Sequence, residues 1–148
     1  MNKFELEIVR IRCSFEHDIL RIEKNKNGLR RDWKRRIWCL KSECHTKLND
    51  LQAEHLNLKK KLYTITDMQV RFGIMQRVAE LERNMRHLKD DRDIRLQEEQ
   101  NELTVRMEEM DIEIRSLKNE RDKQLLAVYE RYQHWLENRE KTESDEEI

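Results

Sequence analysis

Leu103, Met107, Met110, Ile114 and Leu117 follow one another at steps of 4, 3, 4 and 3. Apolar residues in that rhythm occupy alternating d and a positions of a heptad, a seam that hides from water only by wrapping against another helix. A strand would need period two, which is absent here. A second run is Leu51, His55, Leu58, Leu62, Ile65, Gln69 and Phe72, with polar residues at two a positions. A third is Ile74, Val78, Leu81, Met85 and Leu88, and Val128, Tyr132 and Trp135 extend the pattern. Steps of 4 and 4 separate the runs, at Leu29-Trp33-Ile37, Leu40-Cys44-Leu48 and Leu88-Arg92-Leu96. Such stutters locally unwind a supercoil without ending the helix.

Disorder is the competing account of so polar a chain. Charged residues make up 42% and hydrophobic ones 36%, against about 25% and about 45–50% in an ordinary globular domain. That apolar content is too small for a thick core but sufficient for a narrow seam. Disordered segments do not produce heptad runs, and with no proline and two glycines little interrupts a helix. The fold class expected is all-α, built of long coiled-coil helices.

Two places are candidate breaks. Asn25-Lys26-Asn27-Gly28 combines weak helix formers with a glycine, which makes it a candidate kink. The stretch 66–73 is the candidate turn, because Thr66 and Gln69 have capping-box spacing and Gly73 suits a helix C′ position. This divides the chain into a first arm at 1–65, a turn at 66–73, a second arm at 74–139 and an acidic tail at 140–148, expected to be disordered.

Charge sets the direction of the arms. Between Arg21 and Ser42, nine basic side chains face two acidic ones, a net +7; between Gln97 and Glu113, seven acidic ones face one basic, a net −6. Folding the chain near 66–73 lays one block beside the other and brings Phe4 to Trp135. Opposite charges flanking a seam set partner and orientation in coiled coils. An antiparallel helical hairpin is therefore the preferred arrangement, and an antiparallel dimeric rod is the alternative. A parallel rod would align like charges.

Residues outside the seam are candidates for binding. Val105 and Ile112 fall at f positions, and Ile94 and Leu126 continue roughly the same line, so this side of the second arm is expected to receive a partner helix. The basic segment Leu29–Lys41 places Leu29, Trp33 and Trp38 at relative positions 1, 5 and 10. In that spacing it resembles a calmodulin-target helix, which implies large apolar anchors entering a groove while Arg and Lys meet acidic walls. The simpler reading puts Leu29, Trp33 and Ile37 in the seam. Asn27 and Arg35 have the gap seen in basic regions that run into a zipper, but the leucine positions of such a zipper fall on His45, Gln52 and Lys59. Nucleic acid is thus not the expected partner. A curved membrane-binding dimer would need a broad positive face, which the acidic arm would neutralise. In the tail, Ser144 before Asp-Glu-Glu resembles an acid-directed kinase site, and the ending Glu-Glu-Ile148 resembles a PDZ ligand.

No enzymatic constellation is visible. Cys13 and His17, and Cys39, Cys44 and His45, stand close in sequence without completing a four-ligand set. There is no Gly-rich phosphate loop or nucleophile elbow. The expectation is a chain without cofactor or metal, neither an enzyme nor a membrane protein. Its start is charged where a signal peptide would be apolar, and its three cysteines read as reduced thiols, which points to the cytoplasm, with cytoskeletal association or the nucleus open. In its heptads, which cover most of the chain, it resembles the long coiled-coil subunits of cytoskeletal, ciliary, tethering or centrosomal assemblies. That resemblance implies a structural or adaptor subunit that binds itself or other coiled-coil proteins. The alternative is a regulated binding module acting through residues 29–41.

Overall fold

A computed structural model of the chain describes residues 1–146, with side chains to residue 143. Helix α1 (Lys3–Leu62, 60 residues) and helix α2 (Met68–Glu146, 79 residues) pack against each other as a helical hairpin, and no strand occurs among the described residues. Among them no helix is long and apolar enough to cross a membrane.

The start of α1 carries a reciprocal cap. The Glu5 amide donates to Asn2 Oδ1 at 2.9 Å, and the Asn2 amide donates to Glu5 Oε2 at 3.2 Å. Two donors that would lack partners at a helix start are thereby satisfied. At the other end the Tyr63 and Thr64 amides donate to the Lys60 and Lys61 carbonyls, closing the last turn tightly.

The turn occupies residues 63–67, earlier than the 66–73 expected from sequence. Its cap is Asp67, whose Oδ1 accepts from the Gln69 amide at 2.9 Å, and not Thr66. Arg71 reaches back and donates to the carbonyls of Leu62 and Ile65, supplying hydrogens that the end of α1 would otherwise lack. Thr64, Ile65 and Thr66 are β-branched and favour helix poorly, so the break falls there. Gly73 lies inside α2, and no described residue has a positive φ. The heptad run read through this region therefore breaks at the turn. Ile65 belongs to no helix, and Phe72 is exposed instead of buried. Residues 25–28 are continuous α1, so the candidate kink is helical. Residues 140–146, expected to be disordered, continue α2, whose Glu and Lys side chains favour helix.

The contacts divide into two compact units. The first joins residues 1–28 with 105–148, and the second is residues 29–104. In the first, Ile19, Ile22 and Ile114 form a buried cluster flanked by Met110 and Leu117, and Leu125 and Val128 are also buried. An aromatic group closes its far end, with Phe4 5.1 Å from Tyr132 and 5.9 Å from Trp135 between ring centroids. In the second, the buried residues are Cys44, Leu48, Val78 and Leu81. Each unit thus has a thin seam, as a pair of helices must.

Candidate interaction surfaces

The seam residues read from sequence lie at the helix–helix contact to different depths. Val78, Leu81 and Ile114 are buried; Leu51, Leu58, Leu62, Met85, Leu88, Leu103, Met107, Met110 and Leu117 are half-buried, as is Ile65 in the turn. Ile19, Ile22 and Leu125 were not picked out by the sequence reading, although they are among the most buried side chains. The step Ile22-Lys26-Leu29 keeps the 4 and 3 rhythm and leads to Ile19 and Ile22, but Lys26 at its centre hides the pattern, as Arg121 does between Leu117 and Leu125.

Lys26 is itself informative. Its side chain is largely covered and pairs with Asp111 within the first unit. A lysine at a seam position fixes register, because any slip buries the ammonium without its carboxylate. Arg36 pairs with Glu99 at 3.5 Å within the second unit. These two bridges join the basic block of α1 to the acidic block of α2. Nearer the turn, Arg77 makes a two-pronged contact with Glu54, at 3.0 and 3.3 Å, and also meets Glu80. The two carboxylates raise the Arg77 pKa above its ordinary value. His55 bonds Glu82 at 3.0 Å and holds that carboxyl below its usual range.

The sequence-derived binding candidates separate into two kinds. Leu29 and Trp33 are half-buried and belong to the seam, whereas Trp38 is exposed. The Trp33 indole N–H is buried without an acceptor. Around Trp38, Arg30, Arg31, Lys34, Arg35 and Lys41 are all exposed. On α2, Val105, Ile112 and Leu126 of the first unit and Ile94 of the second are exposed large hydrophobics. Ser144 has no described side chain, and Ile148 lies outside the described residues.

Cys13 and Cys39 are exposed free thiols, and Cys44 is buried with Sγ 3.9 Å from the Leu88 carbonyl. Among the described residues, no group of three or more His, Cys, Asp or Glu is placed to hold a metal ion. No protein family, no characterised protein and no solved structure gives a match to this chain.

Proposed function

We propose that the chain is a non-enzymatic coiled-coil structural or adaptor subunit of a multi-protein assembly, acting by helix–helix protein binding. The observation that carries the reading is on α2. Val105, Ile112 and Leu126 are 53%, 59% and 59% exposed and stand at multiples of seven residues from one another. Residues spaced by sevens keep to one side of a helix with only slight drift. A large side chain moved from water into a contact is stabilised by about 1.5–3 kcal/mol, so a line of three is a substantial binding surface. Pairs of helices commonly cover such faces by recruiting further helices. The occupant is a helix of another coiled-coil protein or of a second copy, and cytoskeletal or ciliary assemblies in the cytoplasm are the setting we favour.

The test replaces Val105, Ile112 and Leu126 together with Glu in the full chain. Helix content should be unchanged, because all three side chains are exposed. The set of proteins that co-purify with the chain from cells should shrink, or a self-associated species should fall to monomer in light scattering. An unchanged set and an unchanged mass would overturn the proposal.

Trp38 supports a second reading, in which the basic face of residues 29–41 is a regulated site for an acidic groove or for nucleic acid. Trp38 is 69% exposed and surrounded by unburied Arg and Lys. Calcium-dependent capture by calmodulin, lost on Trp38→Glu, would favour this reading over the first. Trp33→Glu is the companion variant; since Trp33 sits in the seam, it should also lower stability.

A further inference from the structure

The turn end of the second unit carries the densest group of exposed large apolar side chains in the chain. Tyr63, Met68, Val70, Phe72 and Met75 are between 46% and 91% exposed, all within thirteen residues. Neither seam uses them. Their presentation is fixed, because Asp67 caps α2 and Arg71 ties its first turn to the carbonyls of Leu62 and Ile65. Lys59, Lys60 and Lys61 stand immediately behind, in the last turn of α1. Over residues 59–72 four basic side chains face one acidic, a net +3.

We propose that this turn docks end-on into the surface of a bilayer carrying anionic headgroups. The distribution of the apolar side chains favours that occupant over a protein groove. Met68, Phe72 and Met75, at i, i+4 and i+7, share one face of α2, while Val70 points away from that face and Tyr63 leaves the end of α1. A groove covers one face of a helix; an interface entered end-on covers every side at once. Depth agrees as well. Met68 to Met75 spans about 10 Å of helix at 1.5 Å per residue, which matches the roughly 5–10 Å to which apolar side chains enter the headgroup boundary. The three lysines then lie at the level of the anionic headgroups, where each contributes about fivefold in affinity. A second copy docking turn to turn would bring two positive clusters together, which charge disfavours. This surface is distinct from the broad positive face that a curved membrane-binding dimer requires, and it is independent of the α2 line that carries the adaptor reading.

The test is sedimentation of the full chain with sucrose-loaded vesicles at about 0.1 M salt, where surface charge still acts over roughly 10 Å. Vesicles of phosphatidylcholine with about one third phosphatidylserine should bind the chain, and phosphatidylcholine alone should bind it at least tenfold more weakly. Lys59→Gln, Lys60→Gln and Lys61→Gln together should lower binding by about a hundredfold. Met68→Gln with Phe72→Gln, which leaves the charge unchanged, should lower it at least tenfold with helix content retained. Measured against the unsubstituted chain, whose Trp33, Trp38 and Trp135 set the baseline, the emission added by Tyr63→Trp should shift to the blue on adding anionic vesicles, and that added by Leu20→Trp, at an exposed site elsewhere on α1, should not. Failure to bind anionic vesicles overturns the proposal. So does binding that survives the charge-neutral Met68→Gln with Phe72→Gln, which would be adsorption by charge alone, or an added Tyr63→Trp emission that stays put. Crosslinking of residue 72 to an acidic polypeptide while vesicles are ignored would assign the surface to a protein partner instead.

Discussion

The two units solve the same packing problem with different materials. Both contain 4 and 4 steps, where one residue of the seam has to fill extra space. In the first unit the middles of such steps are Phe15, between Ile11 and Ile19 on α1, and Arg121, between Leu117 and Leu125 on α2. In the second they are Trp33, between Leu29 and Ile37, and Cys44, between Leu40 and Leu48, on α1, and Arg92, between Leu88 and Leu96, on α2. Phe15 brings a half-buried ring to its step, and Arg121 turns toward Asp122 at 3.2 Å. A thiol is too small, and a guanidinium turns away toward Asp93, 3.1 Å from it. Two open clefts accordingly flank Arg92, one beside Trp38 and Leu48 and the other beside Leu40 and Cys44. In the second unit, then, open clefts lie where the stutter centres are a small thiol and a guanidinium that points elsewhere.

The sharpest test of the two seams is at their best-buried points. Leu81 is 0% exposed in the second unit and Val128 is 1% exposed in the first. Leu81→Ala should cost about 3 kcal/mol and Val128→Ala about 2 kcal/mol, read from urea unfolding. If hydrogen exchange shows that Leu81→Ala leaves protection near residues 44–48 and 78–88 unchanged, Leu81 does not anchor its unit as described. Exchanging the stutter residues tests the comparison itself. Phe15→Arg should cost about 2 kcal/mol by uncovering Ile11 and Ile19. Arg92→Leu should gain about 1 kcal/mol by giving the cleft an apolar wall. A loss of stability with Arg92→Leu would mean that the guanidinium stem already fills the site.

Much of this was legible in the residues. Heptad spacing and opposed charge blocks point to two antiparallel arms, because each signal adds over many residues. The exact turn was not, since Thr64, Ile65 and Thr66 break the helix by a modest sum of propensities while Gly73 advertised a break that it does not make. Propensity is a weak prior that a side-chain cap such as Asp67, or a reach such as that of Arg71, readily overrides. Phe72 was misplaced for the same reason: once the turn moved to 63–67, the heptad count carried across it lost its meaning. Lys26 shows the converse difficulty. A charged residue in a seam interrupts the apolar pattern that would reveal its neighbours, and only its pairing with Asp111 explains its place.

The two glycines provide a smaller and symmetric test. Gly28 in the first unit and Gly73 in the second are both helical, and a Cβ added to either would meet nothing within 4 Å. Each Gly→Ala change should stabilise the chain by about 0.5–1 kcal/mol, by reducing the freedom of the unfolded state. Equal gains in thermal unfolding are expected. A loss at Gly28 alone would show that the helix needs a flexible point there, contrary to its continuous geometry.

The smallest effect concerns acid, and it belongs to the second unit. Glu82 is held below its ordinary value of 4.5 first by its hydrogen bond from His55, then by the nearby charges of His55, Lys59 and Arg86, while partial desolvation opposes the shift. A carboxyl whose folded pKa is depressed contributes stability that is fully present above its unfolded value and is lost as pH falls through the folded one. The window is therefore at and below about pH 4.5. His55→Ala should return the Glu82 midpoint toward 4.5 and flatten that part of the acid-unfolding curve, as followed by the Glu82 carboxyl signal in an NMR titration. Because the pair is solvent-accessible, the change should be small and should weaken further with added salt. An identical Glu82 midpoint with and without the imidazole would show that the 3.0 Å contact does not persist in solution.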